Sequence, residues 1–251
     1  MNNDEEILAA HITDLARGAE RGGYYTFTDF LGLAEQSVLN ALLPKLGVRH
    51  AVFGGAAGCE RVIARFGDEE EIGYSTDFPI VVLLAEPKSP KYADKLTHRD
   101  YLGALLNLGI ERSVLGDIVL RDSSAYIFVL SDMAEYIKDS LVRVKHTDVS
   151  LSVCESLPEG KLFRTESVRI TLEGVRLDAI VAKVFSLSRS DAQALFKKRL
   201  VFLNGTMVDS ASRVPREGDV ISVRGHGRMI YRGTCGVTRR GRLAVSVEVY
   251  V

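Results

Sequence analysis

Between Val175 and Arg224, two short amphipathic stretches run into a turn with few conformational alternatives, Asn204-Gly205 set between β-formers. Asn and Gly both tolerate positive φ, so Leu200–Leu203 and Thr206–Val208 are expected to pair as a tight antiparallel hairpin. Upstream, Leu177, Ile180, Val181 and Val184 recur at helical spacing within Val175–Val184. Ser188 and Asp191 form a capping box that opens a second helix, Ser188–Lys198. Arg216-Glu217-Gly218-Asp219 is a second turn, leading into a strand at Val220–Arg224. If the two apolar stripes pack on the hairpin, Arg176, Arg189, Lys197, Lys198 and Arg199 are left outward on one side. That is the electrostatic footprint a phosphate backbone requires. Arg189 stands in the first turn of its helix, where the fixed partial positive charge of the helix end also favours phosphate.

Charge is divided unevenly along the chain. Residues 1–170 carry 18 Lys/Arg and 26 Asp/Glu, a net −8; residues 171–251 carry 14 and 7, a net +7; the 251-residue whole is at −1. An acidic body with a basic end points to a polyanion as the partner of that end. Three widely spaced cysteines, Cys59, Cys154 and Cys235, make no CxxC pair, and the five histidines show no metal-ligand spacing. The pattern argues against a disulfide framework or a zinc site and fits a reducing cytoplasm. The acidic start MNNDEEILAA lacks the apolar stretch of a signal peptide, and the longest apolar run, Ile80–Ala85, is far short of a membrane span. No cofactor and no membrane partner is expected.

The order of elements predicts an α+β chain. Apolar residues at helical spacing mark helices within 4–46, broken at Gly22-Gly23. Val48–Phe53 and Glu60–Phe66 read as a hairpin around Gly54-Gly55-Ala56-Ala57-Gly58. Then come a strand at Phe78–Ala85, a helix at Thr97–Leu108 stopped by Gly109, strands at Asp117–Leu120 and Ala125–Leu130, a helix from Ser131 to about Val144, and a strand at Asp148–Cys154. This β-α-β-β-α-β order is the ferredoxin-like arrangement, which fixes a fold and leaves function open. Residues 155–171, with Pro158 and Gly160, read as a connector holding one edge strand at Ser167–Leu172. The tail from Thr238, with Leu243, Val245, Val247 and Val249 alternating, is expected to form a last strand against Met229–Arg232. The expected division is an N-terminal helical and hairpin subdomain at 1–72, a central domain at 73–156, a connector at 157–171, and the basic module with a strand extension at 172–251.

The run RLDAIVAKVFSLSRSDAQALFKKRLVFLNGTMV followed by REGDVISV resembles the S4 domain, a small RNA-binding fold. In that family a glycine often stands where this chain has Arg199-Leu200. The resemblance implies RNA contacts at Arg176, Arg189 and Lys197-Lys198-Arg199, with Ser190 and Arg224 beside them. Leu96–Ile110, Gly116-Asp117-Ile118, Gly54-Gly55 with Gly58-Cys59-Glu60-Arg61, and Ser222–Arg228 extend the likeness over nearly the whole chain. Those segments resemble the YlmH family, bacterial proteins with an RNA-recognition-like central domain followed by an S4 domain. Membership would imply a cytoplasmic monomer on the large ribosomal subunit, in the quality control of stalled subunits that hold peptidyl-tRNA. Ribosomal RNA would be the partner, with tRNA an open second one.

Other motifs have plainer readings. The Gly54–Gly58 loop lacks the Lys-Ser/Thr of a P-loop and the spacing of a dinucleotide site, so it is read as a hairpin loop. Thr97-His98-Arg99-Asp100 could handle protons, but Thr97 and Asp100 are explained by capping; His98 and Arg99 remain candidates for touching RNA or a ribosomal neighbour. Gly225-His226-Gly227-Arg228 is a cationic loop whose His226 and Arg228 are further RNA candidates. A binding protein without catalysis is the expected class. The alternatives are an rRNA-modifying enzyme delivered by its S4 domain, and a protein-interaction module whose basic end is incidental.

Overall fold

The acidic turn Asp4-Glu5-Glu6 complements the positive end of a helix, and the first element is α1 (Asn3–Gly22), which buries Ile12, Ala16 and Ala19. The computed structural model describes residues 3–158 and 162–251; Gly160 of the expected connector lies outside them. By its contacts the chain divides into two units, Met1–Glu35 with Ala41–Leu162 and Gln36–Asn40 with Phe163–Val251.

In the first unit α1 stops at Gly23, whose φ of +63° suits glycine. After it come β1 (Thr26–Phe27), α2 (Leu33–Leu42), β2 (His50–Phe53), β3 (Ile63–Phe66) and α3 (Glu69–Ile72). The three strands form an antiparallel sheet in the order β1-β3-β2. The expected hairpin is there, shorter on its second side because residues 60–62 are drawn into a joint. Asp117 accepts from the backbone N–H groups of Glu60 and Arg61, at 2.6 and 3.2 Å. The Arg61 guanidinium donates to the carbonyls of Phe30, Leu115 and Arg112 at 2.7–3.0 Å. Burial, reinforced by the nearby Arg112 charge, pushes the Arg61 pKa down to about 10, which leaves it charged at neutral pH.

The rest of that unit comprises β4 (Ile80–Pro87), α4 (His98–Asn107), β5 (Leu115–Arg121), β6 (Ser124–Leu130), α5 (Ala134–Ser140), β7 (Arg143–Val144) and β8 (Thr147–Val153). Its strands run antiparallel in the order β5-β6-β4-β8-β7, and the β-α-β-β-α-β order stands. One face packs Leu83, Ile127, Val129 and Leu115 against Tyr101, Leu105 and Ile137. The second helix is shorter than expected. It ends at Ser140, and Arg143-Val144 turns instead into a two-residue strand on β8, with Val144 fully buried.

Besides Gln36–Asn40 of α2, the second unit holds β9 (Thr165–Leu172), α6 (Leu177–Val184), α7 (Arg189–Lys197), β10 (Val201–Leu203), β11 (Thr206–Met207), β12 (Val220–Val223), β13 (Gly227–Val237) and β14 (Leu243–Tyr250). Asn204 and Gly205 take φ of +51° and +73°, the two left-handed residues of a tight hairpin turn. The sheet order is β11-β10-β12-β13-β14-β9. Leu177, Ile180 and Val181 of α6 and Ala192, Leu195 and Phe196 of α7 pack on Val201, Ile221, Met229, Val245 and Ile170 of the sheet. Each fully buried aliphatic side chain there is worth about 1.5–3 kcal/mol. The expected pairing of the tail with Met229–Arg232 is present, as Met229↔Val249 and Tyr231↔Val247. The architecture is α+β. Among the described residues no helix is long and apolar enough to cross a membrane.

Candidate nucleic-acid interface

Residue 176 is the N-cap of α6, in extended conformation, so its side chain lies at the start of the helix. Two residues on, Asp178 is fully buried. Arg176 Nε and Nη2 donate to the two oxygens of Asp178 at 3.0 and 2.8 Å, a bidentate fork that fixes the guanidinium plane. Gln193 Nε2, from α7, reaches the same carboxylate at 3.4 Å, and the Asp178 N–H donates to Ala211 O at 3.0 Å. Arg176 is thus partly neutralised and held in place.

Arg189 opens α7. Ser188 caps that helix by accepting from the Asp191 N–H at 3.1 Å, and its hydroxyl donates to Asp191 Oδ2 at 2.6 Å. Ser190 Oγ lies 2.8 Å from Ser188 Oγ. Arg189 itself is exposed. Arg176 and Arg189 line one groove of about 520 Å³ together with Lys183 and Arg242. Its walls include Leu172, Ala179, Ala182 and Leu187, and Glu173 borders it, 3.5 Å from Arg242. Lys183 and Arg242 were not among the sequence candidates. Lys183 could have been found by helical spacing from Arg176. No local signal marks Arg242, which reaches the groove because Leu243 pairs with Leu172 across the sheet.

Lys197, Lys198 and Arg199 form a second group at the opposite end of α7, about 12 Å along the helix axis from Arg189. Lys197 ends the helix, Lys198 follows as its C-cap, and all three are exposed. Arg199 has φ of +58°, the left-handed conformation in which glycine is most at ease, and its Nε lies 2.8 Å from Met207 Sδ. Cations at the last turn also complement the negative end of the helix.

The remaining candidates lie elsewhere. Met229 and Val223 point into the helix-covered core, so alternation along the strands puts Arg228 and Arg224 on the opposite face of the sheet. Arg228 stacks 3.8 Å above the Tyr250 ring, with Phe163 at 5.3 Å, and Arg224 lies 5.5 Å from the Phe202 ring. The His226 ring packs on Phe185 at 5.7 Å. Arg224 and Arg228 therefore lie on the sheet face opposite α6 and α7. His98 and Arg99 belong to the first unit, exposed at the start of α4. There Asp100 Oδ2 accepts from the Thr97 N–H and hydroxyl at 2.8 Å, the capping reading of that cluster. Among the described residues no cluster of His, Cys, Asp and Glu is placed to hold a metal ion.

Comparison with known proteins fits this geometry. A family model described as "Putative RNA-binding domain in YlmH" matches residues 74–157, and the S4 domain model matches residues 175–221. The Bacillus subtilis (strain 168) protein named "Ribosome-associated protein quality control protein P2" is 31% identical over 252 residues, covering 98% of this chain and 95% of that protein. The chain belongs to the YlmH family. The solved structure of "Cell division protein ylmH from Streptococcus pneumoniae" is similar in fold, with a TM-score of 0.50 and 22% identity, covering 61% of this chain and 93% of that one. As a YlmH-family member with these two matched domains, the chain is an RNA-binding protein; the S4 match contains Arg176, Lys183, Arg189 and the α7 cations, while Leu172 and Arg242 of the groove lie outside it.

Proposed function

We propose that this chain binds the large ribosomal subunit through ribosomal RNA, using the α6–α7 side of its S4 domain, and that it serves in ribosome-associated quality control. The observation that carries the reading is the placement of Arg189, Lys183 and Arg242 at one end of α7 and Lys197, Lys198 and Arg199 at the other. Two cation groups a helix length apart suit successive stretches of phosphate backbone, where they fix position and shape supplies most of the specificity. The role named for the Bacillus subtilis relative supplies the cellular setting. In this reading Arg176 orients the groove, and Ser190 is a short polar neighbour of the Arg189 contact. His226, against Phe185, and Arg224 and Arg228, on the other face of the sheet, are further RNA contacts. His98 and Arg99, in the first unit, are a separate contact with RNA or a ribosomal neighbour, and tRNA is a second RNA partner. The chain acts in the cytoplasm as a monomer, and it holds RNA without altering it. The domain division at 1–72, 73–156, 157–171 and 172–251 is part of the same proposal.

The test is a titration of purified ribosomal subunits with labelled protein at several salt concentrations. Tight binding to large subunits, weak binding to small ones and a steep loss with salt are expected. Equal affinity for both subunits, or binding insensitive to salt, would overturn the docking proposal.

A further inference from the structure

The groove between α6, the start of α7 and the β9–β14 edge has more structure than phosphate neutralisation requires. Cations that only meet a backbone can stand on a flat surface. Here Arg176, Lys183, Arg189 and Arg242 surround a concavity of about 520 Å³ whose walls include Leu172, Ala179 and Ala182. That volume lies within the ~300–1,000 Å³ of small-ligand clefts. Two of the wall residues are alanines, so the helix face that borders the groove is low. Arg176 is the second feature. Two of its five N–H donors are committed to the buried Asp178, which fixes the plane of the group and offsets much of its charge. What it retains is a rigid, planar guanidinium, a surface on which an unstacked base can lie. The remaining cations are then placed for the phosphates that flank such a base.

We infer that this groove accepts one unpaired nucleotide, its base on the apolar walls and against the Arg176 plane, its phosphates toward Arg189, Lys183 and Arg242. The inference rests on the RNA-binding reading and adds to it that the bound RNA presents a bulged or extruded nucleotide. A regular helix keeps its bases stacked, and the stability of each stack opposes extrusion; a bulge has already lost most of that stability.

The experiment uses the full-length chain and two RNA hairpins that differ only by a single bulged 2-aminopurine. Anisotropy reads affinity, and 2-aminopurine fluorescence reads the surroundings of the base. The bulged hairpin is expected to bind roughly five- to a hundredfold more tightly than the paired one, with a change in base fluorescence on binding. Ala182→Leu fills the groove and leaves every cation in place. It should remove the preference while keeping the affinity for the paired hairpin, which also shows that the variant folds; if that affinity is lost, Ala179→Leu is read in the same way. Equal binding of both hairpins by the wild type, or a preference that survives groove filling, would overturn the inference while leaving RNA binding intact. Failure of the wild type to bind either hairpin at low salt would overturn the RNA-binding reading itself, and the inference with it.

Discussion

Arg176 and Arg189 are both arginines at the start of a helix, and the structure assigns them different work. Arg176 compensates a buried carboxylate, so Arg176→Ala leaves Asp178 buried without its ion-pair partner, with Gln193 at 3.4 Å. A loss of about 1–3 kcal/mol of folding stability is expected, measured by chemical denaturation. Arg189→Ala removes an exposed cation and should stay within about 0.5 kcal/mol of wild type while weakening RNA binding. Equal stability of the two variants would contradict this assignment. Arg199→Gly should raise stability by about 0.5–1 kcal/mol in the same assay, because glycine carries no Cβ penalty at φ of +58°. The cationic residues themselves were legible from charge and helical position. The Arg176–Asp178 fork was not, because burial of Asp178 depends on Ala211 and α7 closing over it.

At the scale of elements, the glycine-rich loop between β2 and β3 is set by packing. Gly55 has φ of +97°, and a Cβ there would lie 2.5 Å from the Phe128 ring. Gly55→Ala should therefore cost about 2 kcal/mol or more in stability, read from the thermal midpoint or from urea unfolding. A phosphate-cradling loop would instead show loss of ligand binding with little change in stability. The capping cluster of α4 predicts a pH effect. Hydrogen bonds from Lys145 and then Thr97 lower the Asp100 pKa from 3.8 to about 2. A depressed carboxylate pKa contributes stability above the unfolded value, lost as pH falls through the folded one. The wild type should thus lose more thermal stability between pH 4 and pH 2 than Asp100→Asn does. Parallel curves would remove Asp100 from the account. Helix and strand identities were legible from periodicity and caps, since Thr97, Ser188 and Asn204-Gly205 act within a few residues. The early end of α5 was not, because Val144 is claimed by a strand on β8 rather than by the helical pattern that precedes it.

At the scale of the whole molecule, the acidic first part and basic last part of the sequence are two differently charged stretches, and the basic one contains the S4 match. The six-stranded sheet of the second unit was legible only in pieces. The hairpin at Asn204-Gly205 is local, whereas β9 joins β14 across more than seventy residues, and that pairing carries Arg242 into the groove. Long-range pairing leaves no short-range trace, so the groove could not be assembled from the sequence. The division of the basic residues between two faces of one sheet was hidden for the same reason. The measurement that reaches the central claim most directly is sucrose-gradient sedimentation of cell lysate, probed for the wild type and for Arg189→Ala/Lys198→Ala, which leaves the buried Arg176–Asp178 pair intact. The account predicts that the wild type migrates with large ribosomal subunits at low salt and that the double variant, equally stable, stays at the top of the gradient. A wild type at the top of the gradient, or a double variant that still migrates with the subunits, would contradict it.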